Sequence, residues 1–373
     1  MLRAFMLACS LAAMQVDASE RPPVNSSAQG SAPAEAPDDA PDPLENTRSQ
    51  AWIAYCTAIS EGLQQSIAPR DWALAALVVE FHIETGGHDC GSDNNTLLRR
   101  ATQAAPDDVA VQWIAAHASG VEASLARTAT QRLKVIDPQN TLVWFGDLAD
   151  AESRGDADAV DLALKRIGAS SHFAEILGAI IALFERYPVP DAYWSIATDE
   201  EKRDGVEGIA FSSALNAAVH VSVFSFQHLV ASCRVDQQTG HNITHASDCA
   251  AIARLMVQQA DAVLANRIGY ALLRVSRTYT DDDERAARRD DWVYSHAQNL
   301  MHSDKGDTSG REMLAYENDW LATHSELEAM RRKLLRMGLS AEPPPEWVDE
   351  DSPFSAKRLQ AEDGRAENER SAR

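Results

Sequence analysis

Three sets of residues have types and spacings that could support chemistry. Cys233, His241, His245 and Cys249 form a Cys-His-His-Cys series, the ligand types that close a tetrahedral zinc site. His241 and His245 would share a helical face. However, Asp236-Gln237-Gln238-Thr239, Gly240 and Asn242 read as a loop, and a Cys233–Cys249 disulfide is the competing use of the thiols. His82, Glu84, His88, Asp89 and Cys90 also collect metal-ligand types, but their spacing is not that of a two-histidine helical zinc motif. Gly86-Gly87 and the run Gly91 to Asn95 make this stretch a surface loop. The third set is Ser213, Asn216, His220 and Gln227, whose offsets of three, four and seven place them on one helical face. That stripe could hydrogen-bond a small ligand or peptide. The alternative is a core histidine bonded to a neighbouring carbonyl. No acid partner for His220 is identifiable, so no serine–histidine–acid triad is assigned. Phosphate-cradling Gly-rich loops are absent from the sequence as well. No metal site, cofactor or catalytic residue is expected.

These residues need elements to position them, and the pattern is helical almost throughout. Trp52, Tyr55, Ile59 and Leu63 recur at spacings of three and four. A second helix is expected from about Asp71 to His82, and a third from Leu97 to Ala104. From Gly208 to Cys233 no charged residue appears. That length could span a bilayer, but its serines, histidines and amides make it too polar. It reads as a central helix surrounded by others, with no stable membrane span. Thr280 can cap a helix opening on Asp281, Asp282, Asp283 and Glu284, with Val293, Ala297 and Leu300 toward the core. A last helix is expected from about Arg311 to Met337. Its Met313, Tyr316, Trp320, Leu327, Met330, Leu334 and Met337 keep a heptad rhythm broken only at Thr323. The stripe packs on a neighbour in the same chain or serves as a self-association seam, Met313 to Met337.

Composition narrows the function classes. The chain has 373 residues, enough for one large or two ordinary domains, and its 45% apolar content excludes wholesale disorder. A net charge of −22 opposes phosphate binding, so no nucleic-acid partner is expected. Arg331-Arg332-Lys333 is the one tight basic cluster, read as the solvated end of a helix. Residues 1–18 read as a signal peptide: Arg3, an apolar run from Ala4 to Met14, then small residues at Val16-Asp17-Ala18. A periplasmic address is expected, with a retained anchor or lipidation through Cys9 as alternatives. Removing that segment leaves Cys56, Cys90, Cys233 and Cys249. Loop-closure entropy favours the local pairs Cys56–Cys90 and Cys233–Cys249. Residues 19–48 are a Pro/Ala-rich tether with little to bury. The body divides into a region at 49–200 and a C-terminal helical region at 201–338. A disordered charged tail is expected at 339–373, with docking of Trp347 as the alternative.

One internal echo remains. Pro106-Asp107-Asp108 leads to Trp113, and Pro138-Gln139-Asn140 leads to Trp144, 31 positions later. Trp113, Ala129 and Leu133 follow the spacing of tetratricopeptide repeats, and Asp137-Pro138 falls where such repeats join. In the second unit Gly155-Asp156 matches the turn between paired helices. Val160 stands where alanine is usual, with Ala159 one position early. The early Leu-Gly pair is replaced by Ala116-His117 and Asp147-Leu148. Residues 106–170 therefore resemble a degenerate pair of tetratricopeptide repeats. That resemblance implies an all-α fold of helical hairpins followed by a helical bundle. It also implies a non-enzymatic scaffold whose groove takes a protein or extended peptide. The acidity favours a basic partner. The rival reading is a periplasmic enzyme or small-ligand binder built on the His220 stripe.

Overall fold

A computed structural model describes residues 43–84, 93–118, 120–184, 186, 191–197, 202, 226–235, 243–302 and 310–347. These residues are mostly helical and contain no strand; a lone parallel bridge pairs Asn140 with His172. None of their helices is long and apolar enough to cross a membrane. The first stretch contains α1 (Pro43–Gln64), α2 (Pro69–Glu84), α3 (Asn94–Ala104), α4 (Val109–His117) and α5 (Ala123–Ile136). A 3-10 turn at Thr141–Trp144 leads to α6 (Phe145–Ser153), α7 (Ala157–Gly168), α8 (Leu177–Phe184) and α9 (Asp191–Ile196). After α10 (Gln227–Cys233) come α11 (Ala246–Gln259), α12 (Val263–Val275), α13 (Asp281–His302), α14 (Gly310–Thr323) and α15 (Glu326–Arg336). One hydrophobic cluster takes in residues from Tyr55 to Leu334.

Local chemistry explains the boundaries. Helix α1 begins at Pro43, inside the expected tether, because proline fits the first turn, where its missing N–H is not needed. Tyr55, Ile59 and Leu63 are buried, as their spacing of four predicts. Helix α2 is apolar on every side from Ala73 to Val78 and is buried on every side. Asp93 and Asp108 cap α3 and α4 by accepting from backbone amides, so the Pro106-Asp107-Asp108 junction ends one helix and starts another. Gly155 takes φ +64° between α6 and α7, and Asp156 caps α7 at the Ala159 amide. Gly269 lets α12 approach α11: a Cβ there would lie 2.9 Å from the Ala253 carbonyl oxygen. Thr280 and Asp283 bond reciprocally at the start of α13, and Val293 and Ala297 are buried beneath it.

Four expectations need correction. The echoing tryptophans are not equivalent. Trp113 lies mid-helix at 1% exposure, whereas Trp144 ends a 3-10 turn and is half-buried. Second, the heptad stripe from Met313 to Met337 lies on two helices, not on one continuous helix. His324 takes φ 50°, Ser325 caps α15 at the Glu328 amide, and the chain folds back. Tyr316 and Trp320 of α14 and Met330 and Leu334 of α15 are buried inside the chain. Third, Arg331-Arg332-Lys333 is not a solvated basic end. Lys333 is buried against Tyr316, Arg331 pairs with Asp290 and Glu328, and Arg332 pairs with Asp319. Fourth, the chain from Gly338 to Trp347 packs on α13 instead of starting a disordered tail, because Arg288 and Trp292 hold its carbonyls.

Candidate functional site

The residues singled out for chemistry scatter. Ser213, Asn216 and His220 lie outside the described residues, as do His88, Asp89 and Cys90 and the side chains of His82 and Glu84. Gln227 opens α10 and is exposed; its Nε2 lies 3.5 Å from Nε2 of His228. Cys233 and Cys249 form a disulfide with Cα atoms 5.7 Å apart, so both thiols of the zinc-type series are consumed. His241 lies outside the described residues. His245 sits at the start of α11, its Nδ1 3.5 Å from Oδ1 of Asp161 on α7. Cys56 is buried in α1, while its proposed partner Cys90 is outside the described residues.

Beside the disulfide, Glu152 on α6 links two residues of α10. His228 Nδ1 lies 2.7 Å from Glu152 Oε2, and the Ser232 hydroxyl donates to Glu152 Oε1. Serine, histidine and acid are all present, but in the wrong order for nucleophilic catalysis. A triad needs the imidazole between hydroxyl and carboxylate, to take the hydroxyl proton. Here the carboxylate lies between them and Ser232 is buried. The trio clasps α10 to α6. No sequence signal linked Glu152 to partners 76 and 80 residues away.

A second group surrounds the start of α12. The Ala262 amide donates to Glu175 at 3.1 Å, and the Val263 amide donates to Glu326 at 2.8 Å. The Glu326 amide donates to the Asp261 carbonyl at 2.7 Å. The two glutamates thus satisfy orphan amides at a helix start, where negative charge is favoured. Their carboxyl groups are nonetheless enclosed by protein. Burial and the neighbouring Asp261 carboxylate push Glu175 up to about 8, against the backbone bonds that favour its ionised form. Burial also raises Asp261 to about 7, and raises Glu326 to about 7 despite the Val263 amide and Tyr316 hydroxyl. No group of three or more metal-ligating side chains forms a metal-binding set among the described residues.

A cleft of about 310 Å³ lies between α6 and α7. Asp147 and Asp150 line it from α6 and Arg154 from the C-terminal cap of that helix, at spacings of three and four. Ala159, Leu162, Ala163 and Arg166 line it from α7 at the same rhythm. Leu162 is 50% exposed, an apolar side chain with carboxylates and guanidinium groups around it. Trp144 stands close by. Lys134 Nζ lies 5.4 Å and Arg166 Cζ 5.1 Å from its ring centre, and Lys134 also pairs with Asp147 at 2.5 Å. The Trp144 indole donates to the Pro138 carbonyl at 3.0 Å, which fixes the ring. Sequence reasoning picked out Trp144 and the Gly155-Asp156 turn but not Leu162, because an exposed leucine looks like any other in a helical pattern.

No protein-family model, curated protein or solved structure matches this chain.

Proposed function

We propose that the protein is an exported interaction scaffold whose helical hairpins across residues 106–170 hold an extended segment of a partner protein. The observation that carries this reading is the α6–α7 cleft: an exposed Leu162 among Asp147, Asp150, Arg154 and Arg166, beside the fixed ring of Trp144. At about 310 Å³ the cleft is at the small end for enclosing a whole ligand but suits one or two side chains of an extended chain. An aromatic anchor next to charges of both signs is the composition of a protein-binding surface. The net charge of −22 favours a basic partner and an association that weakens as salt rises. Export rests on the N-terminal apolar segment and fits the Cys233–Cys249 disulfide, since oxidised pairs persist in oxidising compartments.

The test is a photo-crosslinking residue placed at Leu162, compared with one at Leu335, which is equally accessible on α15 at 58% exposure. In envelope extract a discrete adduct should form from position 162 and not from position 335. It should fade on titrating salt and disappear in the Trp144→Ala background. Adducts of equal yield at both positions, or none at 162, would remove the support for this reading.

A further inference from the structure

A second surface carries its own occupant. After α15 the chain runs along α13 as a strap from Ser340 to Trp347, through Pro343-Pro344-Pro345. Arg288 donates to the carbonyl of Trp347 from Nε at 3.0 Å and from Nη2 at 2.9 Å, and to that of Pro345 at 3.0 Å. It donates to the Pro344 carbonyl as well. One turn on, the Trp292 indole donates to the Ser340 carbonyl at 2.9 Å. The Trp347 ring meets Trp292 edge-on at 5.3 Å and His296 at 6.4 Å. His296 lies against Trp292 with ring centres 3.5 Å apart, and its Nδ1 is 2.9 Å from the Trp292 carbonyl oxygen.

This is the chemistry by which proline-rich segments are recognised. Pro343, Pro344 and Pro345 have no N–H to spend on a local hydrogen bond. The strap closes in a turn in which the Trp347 amide donates to the Pro344 carbonyl at 3.0 Å, and a carbonyl oxygen has two lone pairs, so Pro344, Pro345 and Trp347 can all accept from Arg288. Little entropy remains to be lost on docking. Arg288, Trp292 and His296, at spacings of four along α13, supply the donors and the aromatic wall. The bonds from Arg288 and Trp292 go to main-chain oxygens, so they ask for the shape of the segment and not for its side chains. Trp347 adds side-chain contacts of its own, to the rings of Trp292 and His296. The strap is itself half-exposed along Pro343 and Pro344 and exposed at Pro345 and Glu346.

We propose that this face of α13 is a recognition site for partner segments with consecutive prolines followed by a tryptophan, and that residues 340–347 occupy it in cis as a displaceable latch. The occupant seen in place defines the partner's chemistry. A partner must compete with a tethered copy, so apparent affinity scales with the fraction of molecules whose strap is undocked. The site is separate from the α6–α7 cleft and does not rest on the function proposed for it.

The experiment uses the full chain and a fluorescein-labelled peptide of residues 340–349, followed by anisotropy. Wild type, Trp347→Ala, and Pro344→Gly with Trp347→Ala are compared; the double change removes both the anchor and the stiffness of the strap. The peptide should bind the double variant at least about tenfold more tightly than wild type, with Trp347→Ala between them. Adding Arg288→Ala to the double variant should remove that gain, and a peptide of scrambled order should bind none of the proteins. Circular dichroism establishes that each variant is folded. Failure of the peptide to bind the folded double variant would overturn the proposal, as would equal binding to wild type and double variant, or full binding after Arg288→Ala.

Discussion

Trp113 and Trp144 stand in matching sequence contexts and do opposite things. Each follows a proline and a capping Asp or Asn within seven residues. Trp113 lies in the middle of α4 at 1% exposure, its ring 4.7 Å from that of His117. Trp144 ends a 3-10 turn, donates to the Pro138 carbonyl and keeps two cations near its ring. The difference begins at the caps. Asp108 accepts from two consecutive amides and starts an α-helix at once. Asn140 is buried, accepts from the Leu142 amide, and donates to Asp137 and to the Ala174 carbonyl. Those bonds hold the second segment against the chain after α7 and delay its α-helix to Phe145. An equal period in sequence thus gave one core residue and one surface residue.

The largest effect should come from the buried member of the pair. Trp113→Ala should cost roughly 3–5 kcal/mol, the range for emptying a large aromatic site in a packed core. Trp144→Ala should cost about 1 kcal/mol, since it removes partial burial and the cation contacts of Lys134 and Arg166. Urea unfolding monitored by circular dichroism separates the two, and similar midpoints for both variants would erase the distinction. Next comes the Cys233–Cys249 bond, whose sequence separation of 16 corresponds to about 3 kcal/mol on the chain-entropy model. Because α10 is clasped to α6 through Glu152, reduction should raise amide exchange in α6 and α10 and leave α4 protected. Exchange rising equally in α4 would contradict that regional assignment.

The two ends of the core should also answer pH in opposite senses. Burial lowers His117 from its ordinary 6.5 to about 4. The unfolded chain therefore binds the extra proton first, and the stability held by neutral His117 is full above 6.5 and lost as pH falls through 4. Glu175 is the reverse, raised from 4.5 to about 8. Its contribution is full below 4.5 and lost as pH rises through 8, with Asp261 and Glu326 lost through about 7. Glu175→Gln keeps an acceptor for the Ala262 amide, and should stabilise the protein at pH 8 by on the order of a few kcal/mol. His117→Gln should flatten the acid side alone. Melting temperatures from pH 4 to pH 9 check both, and an unchanged alkaline slope in Glu175→Gln would count against the carboxyl group as its source. Asp156→Ala should cost roughly 1 kcal/mol for a lost helix cap, read from urea unfolding curves.

How much of this was legible in the sequence depends on the distance over which each feature is set. The helix cap at Thr280, the turn at Gly155-Asp156 and the apolar spacing of α1 are written within a few residues and were readable; the caps at Asp108 and Asp156 are as local but were passed over as parts of an echo and a turn. The Cys233–Cys249 pair was readable because short loops close most readily. The break between α14 and α15 was visible only as Thr323 in an otherwise regular stripe. The left-handed turn sits at His324, where no glycine marks it. Glu152, Glu175 and Glu326 could not be found, because each is defined by partners 63 to 87 positions apart in the chain. The strap was underestimated for the same reason: Arg288 lies 59 positions from the Trp347 carbonyl it binds.

The measurement that bears most directly on the account is the affinity of the partner crosslinked from position 162 for three proteins: wild type, Trp144→Ala and Leu162→Asp. Urea midpoints are measured on the same samples. Both variants should lose at least about tenfold in affinity, more than 1.4 kcal/mol, while Leu162→Asp stays within about 0.5 kcal/mol of wild-type stability. Unchanged affinity in both folded variants would contradict the assignment of the α6–α7 cleft as the binding surface.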